Sequence, residues 1–132
     1  MIDEASQRIG TFQTRPTITY ESMLKTCSVG CLTAIYDTAH VGKMLMPSIL
    51  KRQDYALWLA ILKRINEAQG IMEPIALYRK VKGSISSNKL DAARYQWRIY
   101  REVEQLDLWR SLYYFAHYAY HGIGKYNLRR NP

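Results

Sequence analysis

The sequence contains no long hydrophobic segment. None of its apolar runs approaches the ~20 residues that a membrane-spanning helix needs, and the opening stretch MIDEASQRIG has no apolar signal core. These absences predict a protein without a transmembrane helix or a secretory signal. We therefore expect a cytoplasmic protein, or one peripheral to the inner face of a membrane.

Cysteine is scarce, and acidic residues are outnumbered. The only cysteines, Cys27 and Cys31, lack the further Cys or His ligands of a zinc site, so we expect two buried free thiols. The 19 Lys and Arg residues exceed the 11 Asp and Glu residues, which gives a formal net charge of +8. This charge predicts attraction to polyanions, whether nucleic acid, diphosphates or an anionic membrane surface.

The length and composition are those of one globular domain. The chain has 132 residues, of which 48% are hydrophobic and 23% are charged. These values argue against both a second complete domain and wholesale disorder. Tyrosine is the unusual component, because five of the 11 tyrosines fall between Tyr113 and Tyr126.

Strand-forming and helix-forming patterns alternate in residues 1–87. A short β-like segment is followed by a helical turn near Glu21–Lys25. The stretch GCLTAIYD, residues 30–37, predicts a buried strand, and IMEPIALYRKV, residues 71–81, predicts another that begins near Pro74. Between them a short helix follows Asp37, and apolar residues at helical spacing predict a helix over residues 53–68 that Gly70 terminates.

Residues 88–132 are predicted to be helical. Ser87 or Asn88 can cap a long helix, and Asp107 can cap a second one that runs from Leu108 to about residue 121, where Gly122 ends it. Five residues form one stripe of the first helix, namely Leu90, Ala93, Trp97, Tyr100 and Glu104, and Ile99, Val103 and Leu106 widen its apolar side.

Asp54 is the only acidic residue between Asp37 and Glu67. It lies in KRQDYALWLAILKR, between two cations and an apolar helix. A carboxylate there can cap the helix, because it accepts orphan backbone N–H groups and suits the positive end of the helix dipole. The same position would also present a rigidly held base to a substrate, and the spacing leaves both interpretations open.

Three blocks, SVGCLTAIYD, MPSILKRQDYALWLAILKR and EPIALYRKVKGSISSNK, occur in an order and spacing that identify a family. From about residue 18 to residue 126 the chain resembles the carboxyl-terminal half of the catalytic domain of family 2 glycosyltransferases. It is most similar to bacterial members that build capsule, O-antigen and teichuronic-type polysaccharides. The resemblance implies an α/β, partial GT-A-like (Rossmann-like) half-domain with a few strands. Residues 1–87 would be its acceptor side, and residues 88–132 a helical tail.

The resemblance implies that Asp54 is the catalytic base of an inverting sugar transfer. Many relatives have Glu where this chain has Gln53, so the neighbour of the base is neutral here. Arg52 would attract the diphosphate leaving group and keep Asp54 ionised. Solvated surface charge explains Arg52 equally well.

Further substrate-binding residues follow from the same resemblance. Tyr78 and Arg79 match a segment that closes over the donor phosphates, and Ser84 belongs to a loop that could become ordered over substrate. Gly30 and Cys31 resemble the floor of the acceptor cleft. Each assignment has a structural alternative. Arg79 could pair with a surface carboxylate, Ser84 could belong to a cap or turn, and Gly30 could form a tight turn.

The metal-binding motif of such enzymes is missing. A divalent ion, Mg²⁺ or Mn²⁺, is expected in the intact enzyme through an Asp-x-Asp pair in the donor half, and this sequence has no Asp-x-Asp. Glu102 and Glu104 are two apart on a predicted helix and so point to different sides. His117 and His121 lack a third ligand. We therefore expect no metal bound by this chain, and no activity from the chain alone.

The implied partners are a nucleotide-sugar donor and a saccharide or polyprenyl-linked acceptor. Residues 108–130 mix aromatic and basic side chains, as a helix in the lipid interface does, although a helix packed on the protein's own core has the same composition. A missing donor half would also leave an exposed apolar surface prone to self-association. The rival hypothesis is a non-enzymatic basic module that binds a membrane or nucleic acid. Nucleic acid is disfavoured because the cations are scattered.

Overall fold

The computed structural model describes residues 1–84 and 88–127. Its helices and strands, in chain order, are β1 (Thr17–Thr19), α1 (Tyr20–Lys25), α2 (Thr38–Val41), α3 (Gln53–Ile65), β2 (Glu67–Gln69), α4 (Lys89–Arg98) and α5 (Leu108–Asn127). A 3₁₀ turn spans Cys31–Thr33, and a π-helical turn, Ile99–Val103, continues α4. The predicted mixed α/β composition is confirmed, but strands are fewer than expected.

The sheet of the described residues is a single antiparallel pair, in which Ile18 lies opposite Ala68. Gly70 ends β2, and its N–H donates to the carbonyl of Pro16 at 2.8 Å. A Cβ at this position would lie 2.0 Å from the carbonyl oxygen of Arg15, so only glycine fits. The predicted role of Gly70 as a helix stop is wrong. Helix α3 ends at residue 65 because the residues that follow pair with β1.

The hydrophobic core lies between α3 and the helices around it. Helix α3 buries seven of its residues, namely Tyr55, Ala56, Leu57, Trp58, Leu59, Ile61 and Leu62. Helix α1 supplies Met23 and Leu24, both fully buried, and α5 supplies Tyr114. The apolar spacing in the sequence therefore predicted α3 correctly, because helix periodicity and burial coincide there.

Phenol hydroxyls connect the core helices through buried hydrogen bonds. The Tyr55 hydroxyl donates to the carbonyl of Met23 at 2.9 Å, and the Gln96 amide donates to Tyr55 at 3.0 Å. The Tyr100 hydroxyl donates to the carbonyl of Leu24 at 2.5 Å. Burial raises the pKa of Tyr100 to about 12, and it raises the pKa of Tyr55 well above its usual value. Both phenols are therefore neutral, and they fix α3 and the π-helical turn against α1.

Caps begin α4 and α5 as the sequence predicts. The Asn88 side chain accepts hydrogen bonds from two backbone N–H groups of α4, and Asp107 accepts from the N–H of Arg110 at 2.9 Å. Ser87, the other cap candidate, lies outside the described residues. The predicted end at Gly122 is wrong, since α5 continues to residue 127.

The predicted stripe of α4 is wrong at its first residue. Leu90 is 83% exposed, while Gln96 is buried. Both residues precede the π-helical turn, so the buried face of α4 differs from the predicted one before that turn begins. Glu102 and Glu104 do point to different sides. Glu104 is buried against Tyr20 and Lys63, whereas Glu102 is an exposed partner of Arg98.

The two segments predicted as buried strands are not strands. Residues 30–37 contain the 3₁₀ turn, and Ile35 is 97% exposed. Among the described residues, 71–81 form only an isolated bridge, between Arg79 and Ile2, and Leu77 is 74% exposed. A strand needs neighbouring strands to satisfy its backbone groups. The described part of the chain supplies none beside these segments, although their composition is that of strands.

The cysteines are free thiols, as predicted, but they are less buried than expected. Cys27 is partly buried, and its thiol donates to the carbonyl of Val29 at 3.3 Å. Cys31 is exposed on the 3₁₀ turn. The expected burial depended on the strand prediction for residues 30–37, which the 3₁₀ turn replaces.

Candidate functional site

Asp54 is the second residue of α3. The residue before the helix, Arg52, makes no side-chain cap, and one Asp54 carboxylate oxygen accepts from the N–H of Tyr55 at 2.8 Å. Among the described residues no group bonds to the second oxygen. Asp54 therefore stabilises the first turn of the helix, and it also keeps a partly exposed oxygen that can accept a proton from another molecule.

Arg52 adopts a left-handed backbone conformation, with φ at 63°. This conformation costs a non-glycine residue about 1–3 kcal/mol, so other contacts must maintain it. The guanidinium carbon lies 4.8 Å from the centre of the Tyr55 ring and 5.3 Å from that of the Tyr118 ring. One guanidinium nitrogen also donates to the Tyr118 hydroxyl at 3.2 Å. Arg52 is thus held between an aromatic ring of α3 and one of α5.

Two lysines, one directly before Arg52 in the chain and one in the last turn of α3, have carboxylate partners, whereas Arg52 has none in the described part of the chain. The Lys51 ammonium lies 2.7 Å from the Asp91 carboxylate and the Lys63 ammonium 2.5 Å from Glu104. Within residues 1–84 and 88–127, no carboxylate pairs with Arg52. Among these residues its positive charge is therefore stabilised by two aromatic rings and by the Tyr118 hydroxyl, without an anionic partner.

A cavity of about 290 Å³, which we call the arginine cavity, opens beside Arg52. Its lining residues are Phe12, Thr26, Cys27, Arg52, Tyr118 and Gly122. Of the residues predicted as substrate-binding, only Arg52 lines this cavity. The sequence indicated an aromatic segment around Tyr118 but gave no reason to connect it with Arg52.

A larger concavity of about 720 Å³, which we call the apolar groove, lies along the two segments that were predicted to be strands. Residues 33–36 and 69–78, which include Tyr78, form about half of its lining, and residues between Met1 and Thr14 form another part. Gly30 also lines it. Trp58 also lines it, and its indole N–H is buried without a partner among the described residues. The groove thus combines an apolar surface with one residue, Trp58, whose N–H forms no hydrogen bond within the described residues.

The remaining predicted site residues are dispersed. Arg79 donates to the carbonyl of Asp3 at 2.7 Å and to the hydroxyl of Ser6 at 3.0 Å, so the N-terminal loop occupies its guanidinium. The alternative of a surface ion pair is wrong, because the acceptors are not carboxylates. Gln53 donates to the carbonyl of Leu50 at 3.2 Å. Ser84 lies in a turn next to residues 85–87, which are outside the described residues.

The acidic and histidine residues do not assemble into a metal centre in the described part of the chain, which contains no group of three metal-ligating side chains. His117 and His121 stack with their ring centres 6.4 Å apart. The residues present therefore do not fit the divalent ion that the resemblance implies for the intact enzyme.

Helix α5 has one buried face and one exposed face. Ser111 and Tyr114 are buried, and Trp97 packs edge-on against Phe115. The opposite side carries an exposed row of large side chains, which we call the α5 stripe: Trp109, Leu112, Tyr113 and Tyr120. None of the helices in the described residues is both long and apolar enough to cross a membrane.

Comparisons of the sequence find bacterial glycosyltransferases. The chain is 43% identical over 108 residues to a putative teichuronic acid biosynthesis glycosyltransferase, TuaG, of Bacillus subtilis, which covers 82% of this chain and 43% of the relative. It is also 36% identical over 119 residues to WfgD, an Escherichia coli UDP-Glc:α-D-GlcNAc-diphosphoundecaprenol β-1,3-glucosyltransferase. This match covers 89% of this chain and 46% of the relative. An uncharacterized glycosyltransferase of Haemophilus influenzae is 30% identical over 94% of this chain and 50% of the relative.

No family model and no solved structure matches the chain. The chain spans about half the length of the relatives it matches, and the similarity extends over more than four fifths of its own length. The resemblance inferred from the three sequence blocks is thereby confirmed. This protein is a homologue of bacterial glycosyltransferases and corresponds to about half of such a protein.

Proposed function

We propose that this chain is the acceptor-side half of an inverting family 2 glycosyltransferase with a GT-A-like domain. The complete enzyme would transfer a sugar from a nucleotide-sugar to a saccharide or polyprenyl-linked acceptor in cell-surface polysaccharide synthesis. The similarity to TuaG and to the E. coli glucosyltransferase WfgD carries this proposal. The rival basic binding module is not favoured, because those relatives are transferases and several cations are already paired with carboxylates.

In this proposal Asp54 is the general base. Its free carboxylate oxygen accepts the proton of an acceptor hydroxyl as the hydroxyl oxygen bonds to the anomeric carbon of the donor sugar. The bond from that carbon to the nucleotide diphosphate breaks on the opposite face, which inverts the configuration. A carboxylate held by the Tyr55 N–H is oriented before the substrate arrives. General-base assistance contributes roughly 10²–10⁴-fold to such a reaction.

The other half of the enzyme would bind the nucleotide and a divalent ion, which neutralises the departing diphosphate. We expect no sugar transfer by the chain alone. The apolar groove is the surface that the other half would cover, since strand-like segments that lack partners can pair with strands supplied from outside. When the groove is uncovered, self-association through it is expected.

The α5 stripe would hold the enzyme at the cytoplasmic face of the membrane. Trp109 is 79% exposed and Tyr120 is 74% exposed, and the Lys25 ammonium lies 5.7 Å from the centre of the Tyr113 ring. Interfacial helices combine aromatic residues with cations in this way. A polyprenyl-linked acceptor is confined to the same surface, so this placement brings enzyme and acceptor together.

The deciding experiment replaces Asp54 in a complete enzyme, made by joining this chain to the half of TuaG that it does not match. In Asp54→Asn the carboxamide cannot take a proton, so turnover should fall by roughly 100-fold or more. The melting temperature and the affinity for the nucleotide-sugar should stay near the parental values, since neither depends on that proton transfer.

Asp107→Asn is the matched control, because Asp107 caps α5 and Asn caps helices about as well as Asp. It should retain near-parental turnover. Parental turnover in a folded Asp54→Asn enzyme would instead reduce Asp54 to a residue that stabilises the first turn of α3.

A further inference from the structure

Arg52 has a half-buried charge without an anionic partner. Removing a charge from water is unfavourable unless it is paired, and aromatic faces offset only part of that cost. One of its guanidinium nitrogens donates to Tyr118, and the other N–H groups have no partner within the described residues. A guanidinium presents its N–H groups in a planar fork that fits a phosphate. The unsatisfied donors of Arg52 line the arginine cavity and favour an oxyanion there.

The size and lining of the arginine cavity suit a head group with an apolar attachment. A volume of about 290 Å³ is at the lower end of the range for small-molecule sites, and it accommodates a diphosphate. Phe12 offers an apolar wall, while Arg52 and Tyr118 offer polar groups. This combination fits a diphosphate with an apolar attachment, and the lipid diphosphate of the proposed acceptor belongs to that class.

Helix α5 contributes Tyr118 and Gly122 to the wall of the cavity. Tyr118 follows Trp109 by nine residues, which is about half a turn around the helix, so the cavity and the exposed α5 stripe lie on opposite faces of α5. The choice of a lipid-linked ligand therefore rests on the acceptor class of the proposed function and not on the position of the stripe.

We propose that Arg52 and Tyr118 bind the diphosphate of a lipid-linked acceptor in the arginine cavity. This assignment rests on the proposed function for the class of acceptor. WfgD, a relative, is named for a diphosphoundecaprenol acceptor, so a related enzyme must accommodate that group. Arg52 would thus act on the acceptor, and a different part of the enzyme would bind the diphosphate of the donor.

The test measures binding to the purified 132-residue chain by calorimetry, with geranyl diphosphate, UDP and inorganic diphosphate as probes. Geranyl diphosphate should bind most tightly. Arg52→Gln should weaken its binding by at least about tenfold, because a charge-assisted hydrogen-bond pair is lost. Tyr118→Phe should weaken it less, since the ring remains. Arg94→Gln removes the same charge from an exposed position on α4 and should change nothing.

Gly122→Leu separates loss of binding from loss of folding. A Cβ at Gly122 meets nothing within 4 Å, so a larger side chain can enter the cavity without straining the helix. Leucine also favours a helix more than glycine, so the melting temperature should rise by about 3 °C. Binding of geranyl diphosphate should be lost in this more stable protein.

Two results would overturn the proposal. Unchanged binding of geranyl diphosphate in Gly122→Leu would exclude the arginine cavity, and tighter binding of UDP than of geranyl diphosphate would assign the site to the donor. The Asp54→Asn chain should bind with parental affinity, because a base is not needed for binding. Failure of the catalytic-base proposal and failure of the acceptor site are therefore distinguishable.

Discussion

Helix α3 and the apolar groove are both rich in hydrophobic residues, but only one of them is covered. Leu59 in α3 is fully buried, while Ile35 and Leu77 in the groove are 97% and 74% exposed. A helix satisfies its own backbone hydrogen bonds and needs only an apolar neighbour, whereas a strand needs other strands. The difference shows that the described residues cover the apolar side of α3, whereas they leave the strand-like segments of the groove exposed.

The largest effect expected from this comparison is on stability. Leu59→Ala should lower the free energy of unfolding by about 2–5 kcal/mol, because it removes buried methyl groups and leaves a cavity. Leu77→Ala, the same substitution in the groove, should change it by less than about 0.5 kcal/mol. Urea denaturation of the two variants measures both values. Equal losses would mean that the groove is covered in solution.

The groove should dominate self-association of the isolated chain. Ile35→Lys combined with Leu77→Lys places two charges on the exposed surface, so we expect the dimer to weaken about tenfold or more and the binding of a hydrophobic dye to fall. Analytical ultracentrifugation gives the association constant. The control is Leu45→Lys with Leu50→Lys, because these leucines are 78% and 76% exposed but do not line the groove. A monomeric parental protein that binds no dye would contradict the prediction.

The smallest expected effect is on membrane binding through the exposed face of α5. Trp109→Ser should reduce binding to anionic vesicles about fivefold, since an exposed aromatic side chain contributes on the order of 1 kcal/mol at the interface. Flotation with vesicles measures this. Deletion of residues 108–132 is a poorer test, because it also removes Tyr114, which is 5% exposed and packs near Tyr100. Unchanged vesicle binding in Trp109→Ser would exclude the α5 stripe as the contact.

Local signals predicted the features that local contacts determine. Helix α3 and the caps at Asn88 and Asp107 were correct, because helix periodicity and capping involve residues only a few positions apart. The strands over residues 30–37 and 71–81 were wrong, because a strand forms only where another strand is available. The π-helical turn left no signal in the apolar spacing.

The candidate site illustrates the same limit. The three sequence blocks identified the family, and the resemblance predicted Asp54 and Arg52 as site residues. Tyr118 was missed because its contact with Arg52 joins residues 66 positions apart. Arg79 was placed on the donor side by resemblance, yet in this structure the N-terminal loop occupies its guanidinium. Long-range packing decides such contacts, and no short motif encodes it.

The hydrogen bond between Arg52 and Tyr118 has a consequence for combining this chain with segments of its relatives. The sequence suggests a division at residue 87, with a catalytic part before it and a separable tail after it. The bond crosses that division. A chimaera that exchanges the tail therefore also exchanges Tyr118, one of the two aromatic residues that contact Arg52. Recombination between related transferases should therefore keep the loop before α3 and helix α5 from the same parent, whichever sugar the hybrid is meant to transfer.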